Sequence, residues 1–191
     1  MHAAARSRLL LLGLLLAAGA GWLLTASGNG SSRIIYETDV PGWRWTGGSF
    51  RDQYVALLLD ETDLRRARAA LPDPVWRQAG QQMEEWLAAG DTAVVVAYLG
   101  EASTGGYAIR IVRVEVQEAR DKKESRPVVT VTVARRRPGP DEFVTQAFTY
   151  PYDAVPVAKD QLPDEPFDVR FVDPDGQPLD GDGRPAFLRR R

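Results

Sequence analysis

The chain has 191 residues, with 24 basic and 26 acidic side chains and a formal net charge of −2 at pH 7. This balance, without a long basic stripe, argues against nucleic acid as a partner. Cysteine is absent and the single histidine is His2, which excludes disulfides, thiolate chemistry and imidazole catalysis from a folded domain.

The N-terminus has the pattern of an export segment. Arg6 and Arg8 precede an apolar run over residues 9–20, as in a secretory signal. Because apolar character continues to Ala26, residues 1–26 can be either a cleaved signal peptide or a single-pass membrane anchor. We therefore expect an extracytoplasmic protein that is secreted, periplasmic or anchored to the membrane, with residues 27–32 as a flexible linker.

Two tryptophans stand in the first loop of the predicted domain. A short strand is expected at residues 34–36 and a stronger one at residues 53–59. Between them, Trp43 and Trp45 flank Arg44. Such a cluster is typical of binding hot spots, but tryptophan also anchors loops against a core, and both interpretations stay open.

Two helices follow. Asp60 or Thr62 is suited to cap a first helix that stops before Pro72. A second helix is predicted with Asp73 as its N-cap and Gly90 just beyond its C-terminus. Its apolar stripe indicates a face that packs on a sheet and comprises Trp76, Ala79, Met83, Trp86 and Leu87.

The most apolar strand candidate covers residues 94–99, which carry no charge and predict a strand buried on both faces. Gly105 and Gly106 then favour a tight connection, so we expect the chain to fold back here as a hairpin. In the following strand the apolar positions change face between Ile111 and Val112, which predicts a β-bulge.

Further strands are predicted at residues 128–134, 143–150 and 167–172, followed by a polar tail at residues 173–191. The carboxylates near Asp173 and Asp180 indicate turns, with calcium binding as a weaker alternative. The expected fold class is α+β, a mainly antiparallel β-sheet with one or two packed helices, in a single domain over residues 33–172.

Two segments resemble the PrcB C-terminal domain family, whose members are subunits of secreted protease complexes. The first is Leu99-Gly100 followed by Thr104-Gly105-Gly106-Tyr107 and Ile109-x-Ile111; the second is residues 144–152 followed by Val155-Pro156-Val157. The resemblance covers about residues 91–158. Ser103 stands where the family usually has proline.

The resemblance implies a non-catalytic, exported accessory subunit that associates with a secreted or envelope protease and stabilises or assembles it. We expect no catalytic residue, cofactor or metal, no nucleic-acid partner, and membrane contact only through the N-terminal segment. The oligomeric state is left unassigned. The candidate partner-binding residues are Ser103, Thr104, Gly105, Gly106, Tyr107, Trp43 and Trp45.

Two other functions remain as alternatives. One is a loop-based protease inhibitor, because Thr104–Tyr107 also resembles the Thr-Thr-Gly-Tyr loop of chagasin-type inhibitors. The other is an envelope ligand- or carbohydrate-binding module that uses Trp43 and Trp45.

Overall fold

A computed structural model describes residues 31–45, 50–119 and 126–179. The predicted export segment, most of the linker and the end of the predicted tail lie outside these residues. Within the described part of the chain, no helix is long and apolar enough to cross a membrane.

The described residues form seven strands, two α-helices and one short 3₁₀ helix. In chain order these are β1 (Ser32–Glu37), β2 (Tyr54–Leu58), α1 (Glu61–Ala70), α2 (Asp73–Ala88), β3 (Thr92–Tyr98), β4 (Ala108–Gln117), β5 (Val128–Arg136), β6 (Tyr152–Ala158), the 3₁₀ helix Lys159–Gln161 and β7 (Asp168–Val172).

The strands make two sheets, with strand orders β1-β4-β5-β7 and β2-β3-β6. All neighbouring strands are antiparallel except β5 and β7, which are parallel. One apolar layer lies between the sheets, and a second lies between the three-stranded sheet and the two helices. The predicted α+β class, mainly antiparallel with two packed helices, is confirmed.

Strand β3 is buried on both faces, as its uncharged sequence predicts. Val95 and Ala97 belong to the layer between the sheets, whereas Val94, Val96 and Tyr98 belong to the layer beneath the helices. Alternation of polar and apolar residues is lost here because both faces of the strand are covered.

The predicted hairpin between β3 and β4 is wrong. Strand β3 pairs with β2 on one edge and β6 on the other, so neither edge is left for β4. Strand β4 pairs instead with β1 and β5 in the other sheet. The glycine-containing connection therefore carries the chain from one sheet to the other. The predicted bulge is confirmed by a register shift between Ile111 and Arg113.

The strand predicted at residues 143–150 is also wrong. Only an isolated bridge between Ala102 and Thr149 forms there, and the strand of this region is β6, which begins at Tyr152. Backbone groups of residues 143–150 hydrogen-bond to the loop after β3 rather than to a strand ladder.

The helix ends follow local rules. The carboxylate of Asp60 accepts hydrogen bonds from the backbone N–H groups of Thr62 and Asp63, which confirms Asp60 as the cap of α1. Helix α2 starts one residue before the predicted position, because Pro72 rather than Asp73 occupies its N-cap. Gly90 has a φ of 85°, as predicted for the residue after a helix.

Residues 173–179 pack beside β7. The Asp173 carboxylate accepts hydrogen bonds from the backbone N–H groups of Asp175 and Gln177, so it holds a turn. Leu179 is buried in the layer between the sheets, and its N–H donates to the carbonyl of Phe171.

Candidate functional site

The two segments that carry the family resemblance overlap two irregular stretches of chain that lie against each other. The first is the connecting loop (residues 99–107), which joins β3 to β4. The second is the covering segment (residues 138–151), which joins β5 to β6. Both lack regular strand or helix structure apart from one bridge, so their mutual contacts determine their shape.

Backbone hydrogen bonds tie the covering segment to the connecting loop. Ala102 and Thr149 exchange N–H to carbonyl hydrogen bonds of 2.9 and 2.8 Å. The N–H of Gly105 donates to the carbonyl of Thr145 at 2.9 Å, and the Thr149 hydroxyl donates to the carbonyl of Thr104 at 2.9 Å. The backbone polar groups of two irregular segments thus satisfy one another.

The two glycines of the connecting loop allow this close approach. A Cβ added at Gly105 would lie 2.5 Å from the Thr145 hydroxyl oxygen. A Cβ added at Gly106 would lie 2.7 Å from Cγ1 of Val144 and 2.9 Å from Cβ of Pro138. Gly106 also has a φ of 84°, a backbone conformation that favours glycine. Both glycines are therefore covered by the neighbouring segment.

Arg136 fixes the start of the covering segment. Its Nη1 donates to the carbonyl of Gly106 at 2.6 Å, and its Nη2 donates to both carboxylate oxygens of Glu142 at 2.6 and 2.7 Å. Hydrogen bonding from Arg136 lowers the pKa of Glu142. Glu142 also accepts from the N–H of Gly139 at 3.2 Å, which closes the turn before Phe143.

Tyr107 and Trp45 meet in an aromatic cluster formed by Trp45, Phe50 and Tyr107. The Trp45 and Phe50 ring centroids are 5.9 Å apart, and Phe50 and Tyr107 make an edge-to-face contact at 5.4 Å. All three side chains pack against the layer between the sheets. The structure thus brings together two candidate residues from distant parts of the chain.

The arginine that contacts the aromatic cluster is Arg135. The sequence had suggested Arg44, which lies between the two tryptophans. The Arg135 guanidinium carbon lies 4.7 Å from the centre of the Trp45 ring. Burial lowers the pKa of Arg135. Its Nη1 makes a long hydrogen bond of 3.4 Å to Gln53, whose side chain is buried. Neither Nε of Arg135 nor Nε2 of Gln53 has a hydrogen-bond partner among the described residues.

Trp43 occupies a different place, in a groove beside β1 and β4. The groove has a volume of about 630 Å³, and Glu37, Asp39 and Arg113 also line it. Arg113 donates to Glu37 through Nε at 3.0 Å. The structure therefore separates Trp43 from Trp45, which belongs to the aromatic cluster.

Ser103 is exposed, whereas the residues from Thr104 to Tyr107 are half-buried. The most exposed large apolar side chains nearby are Phe143 and Phe148, which are 104% and 67% exposed. Sequence reasoning missed both because it treated residues 143–150 as a strand with one inward face. Two phenylalanines in a segment bounded by Pro140 and Pro151 were the available signal.

Comparison with known protein families gives a match for this part of the chain. Residues 93–158 match the family model described as PrcB C-terminal. The match confirms the resemblance and spans β3, the connecting loop, β4, β5, the covering segment and β6. No curated protein and no solved structure matches the chain.

The matched PrcB C-terminal segment contains neither histidine nor cysteine. In the described part of the chain, no group of three or more acidic or histidine side chains is placed to hold a metal ion. The connecting loop and the covering segment form an irregular surface on which Phe143 and Phe148 are exposed.

Proposed function

We propose that this protein is a non-catalytic, exported accessory subunit that binds a secreted or envelope protease and stabilises or assembles it. The observation that carries the proposal is the PrcB C-terminal match over residues 93–158. The resemblance noted in the sequence supplies the protease as the partner class. The apolar N-terminal segment supports export.

Such a subunit needs no chemistry of its own. If it binds the native protease in preference to the unfolded enzyme, mass action stabilises the native form. The irregular surface formed by the connecting loop and the covering segment suits this role, because its backbone is already held by hydrogen bonds before a partner arrives.

The test is a pull-down with the tagged full chain, expressed in the source cells and solubilised from their envelope. We expect a protease to co-purify, to be identified by mass spectrometry, and to keep or increase its turnover when the subunit is added back. A fall in turnover on addition would identify an inhibitor instead. Absence of any protease from the purified material would overturn the proposal.

A second candidate function, the binding of an envelope glycan, is favoured by the groove beside Trp43. An indole ring beside carboxylate and guanidinium groups supplies an apolar face and hydrogen-bonding partners for a sugar. Peptidoglycan fragments should then quench tryptophan fluorescence in the wild type and in Trp45→Phe, but not in Trp43→Phe.

A further inference from the structure

Exposed apolar side chains are concentrated in the covering segment. Among the described residues, only Ile34, Phe143 and Phe148 are large apolar side chains classed as exposed. Two of these three lie within six residues of each other, and Phe143 at 104% exposure makes no protective contact with its own domain. Leaving two phenylalanine side chains in water forgoes the free energy that burying their apolar surface would supply. Such an arrangement marks an interaction surface.

The backbone that carries these phenylalanines is held on both sides. Before Phe143, the carboxylate of Glu142 is bound by Arg136 and by the N–H of Gly139. Between the two phenylalanines, the carbonyl of Thr145 accepts from Gly105, and after Phe148 the residue Thr149 pairs with Ala102. Because the segment is ordered in advance, binding through Phe143 and Phe148 loses little backbone entropy.

A second copy of this chain is a poor match for these side chains. The groove beside Trp43 is bordered by the charged residues Glu37, Asp39 and Arg113. Burying a phenylalanine there would remove the Asp39 carboxylate and the Glu37–Arg113 ion pair from water, and this desolvation opposes the gain from the apolar contact.

The charges around the phenylalanines favour a folded protein over a lipid surface. Arg137 and Asp141 are both exposed beside the turn that leads into Phe143. One basic and one acidic side chain together give no net attraction to an anionic membrane, whereas a mixed polar rim around aromatic anchors is the usual anatomy of a protein interface.

We propose that Phe143 and Phe148 anchor the proposed protease partner, entering an apolar pocket whose rim carries charges opposite to Arg137 and Asp141. This inference rests on the proposed function and assigns its contact surface. Under it, Gly105 and Gly106 are positioning residues, because the covering segment lies directly against both of them.

The test compares the full chain with a Phe143→Ser, Phe148→Ser double variant and with Ile34→Ser as the matched control. Ile34 is 47% exposed and lies on β1, outside the covering segment. All three proteins should have the same circular dichroism and nearly the same Tm, because none of the changed side chains is part of the core. We expect the double variant to bind the co-purified protease at least tenfold more weakly, and the control to bind it like the wild type.

The outcomes separate the two proposals. If the wild type holds a protease and the double variant holds it equally well, the contact assignment is overturned while the proposed function stands. If the wild type holds no protease, both fall. Sedimentation and vesicle flotation of the same proteins complete the test: a self-associated species or a lipid-bound fraction lost only in the double variant would overturn the protease as occupant.

Discussion

Glycine is required at position 106 for two reasons, its backbone conformation and the lack of space for a side chain. Its φ of 84° disfavours any side chain, and the covering segment leaves no space for one. Gly90 has nearly the same φ of 85°, but no atom lies within 4 Å of the place that a Cβ would take there. Comparing substitutions at Gly90 and Gly106 therefore separates the cost of a left-handed backbone from the cost of steric crowding.

We expect Gly106→Ala to lower the free energy of unfolding by roughly 2–4 kcal/mol, combining a left-handed backbone with overpacking. Gly90→Ala should cost only about 1 kcal/mol, because its Cβ would meet open space. Urea unfolding followed by circular dichroism measures both. Equal losses in the two variants would show that the covering segment moves aside without cost.

Helix α2 contains a glycine that propensity alone would not favour. Gly80 lies in the interior of the helix, where alanine is ordinarily about 1 kcal/mol better. Here a Cβ would lie 2.6 Å from Cε2 of the Trp76 ring. Arg68 of helix α1 contacts the same ring, with its guanidinium carbon 5.2 Å from the ring centre. Trp76 therefore packs across Gly80 and helps to join the two helices.

We predict that the effect of Gly80→Ala on the free energy of unfolding changes sign when Trp76 is removed. Gly80→Ala should destabilise the wild type by about 1–2 kcal/mol, since the indole must shift. In a Trp76→Ala background the same change should stabilise the protein by about 1 kcal/mol, as helix propensity predicts. Unfolding free energies of the four proteins make a double-mutant cycle. The absence of coupling in this cycle would contradict the packing described.

At the scale of the whole molecule, Asp153 links the two sheets. It lies on β6 and accepts a hydrogen bond of 2.9 Å from the N–H of Ile111, which lies on β4 at the bulge. Burial raises the pKa of Asp153, although the Ile111 N–H and Arg110 act in the opposite direction. The bulge thus turns a backbone donor toward the other sheet.

Because the native pKa of Asp153 lies above its unfolded value, the protonated carboxyl contributes stability below the unfolded pKa. That contribution is lost as pH rises through the native pKa. Asp153→Asn keeps a carbonyl acceptor but does not titrate. The unfolding free energy of Asp153→Asn minus that of the wild type should therefore become more positive as the pH is raised from about 3 to about 7. Urea unfolding at a series of pH values measures this difference.

A difference between Asp153→Asn and the wild type that stays constant with pH would contradict the role assigned to Asp153.

The sequence by itself determined the features that depend on local pattern. The uncharged run of β3 indicated burial on both faces, the change of face in β4 indicated its bulge, and Asp60 indicated the cap of α1. The two motifs also indicated the PrcB C-terminal family model that residues 93–158 match. These succeed because side-chain periodicity and capping chemistry depend on residues a few positions apart.

Only the tertiary structure decided where distant segments meet. It placed β3 and β4 in different sheets, made β7 parallel to β5, and laid the covering segment over Gly105 and Gly106. It also left Phe143 and Phe148 exposed, although their apolar character alone suggested burial. The physical reason is that the spacing of apolar residues predicts only that one face of a strand or helix is buried. Which other element buries that face depends on pairing between residues far apart in the chain, and a short stretch of sequence does not contain that information.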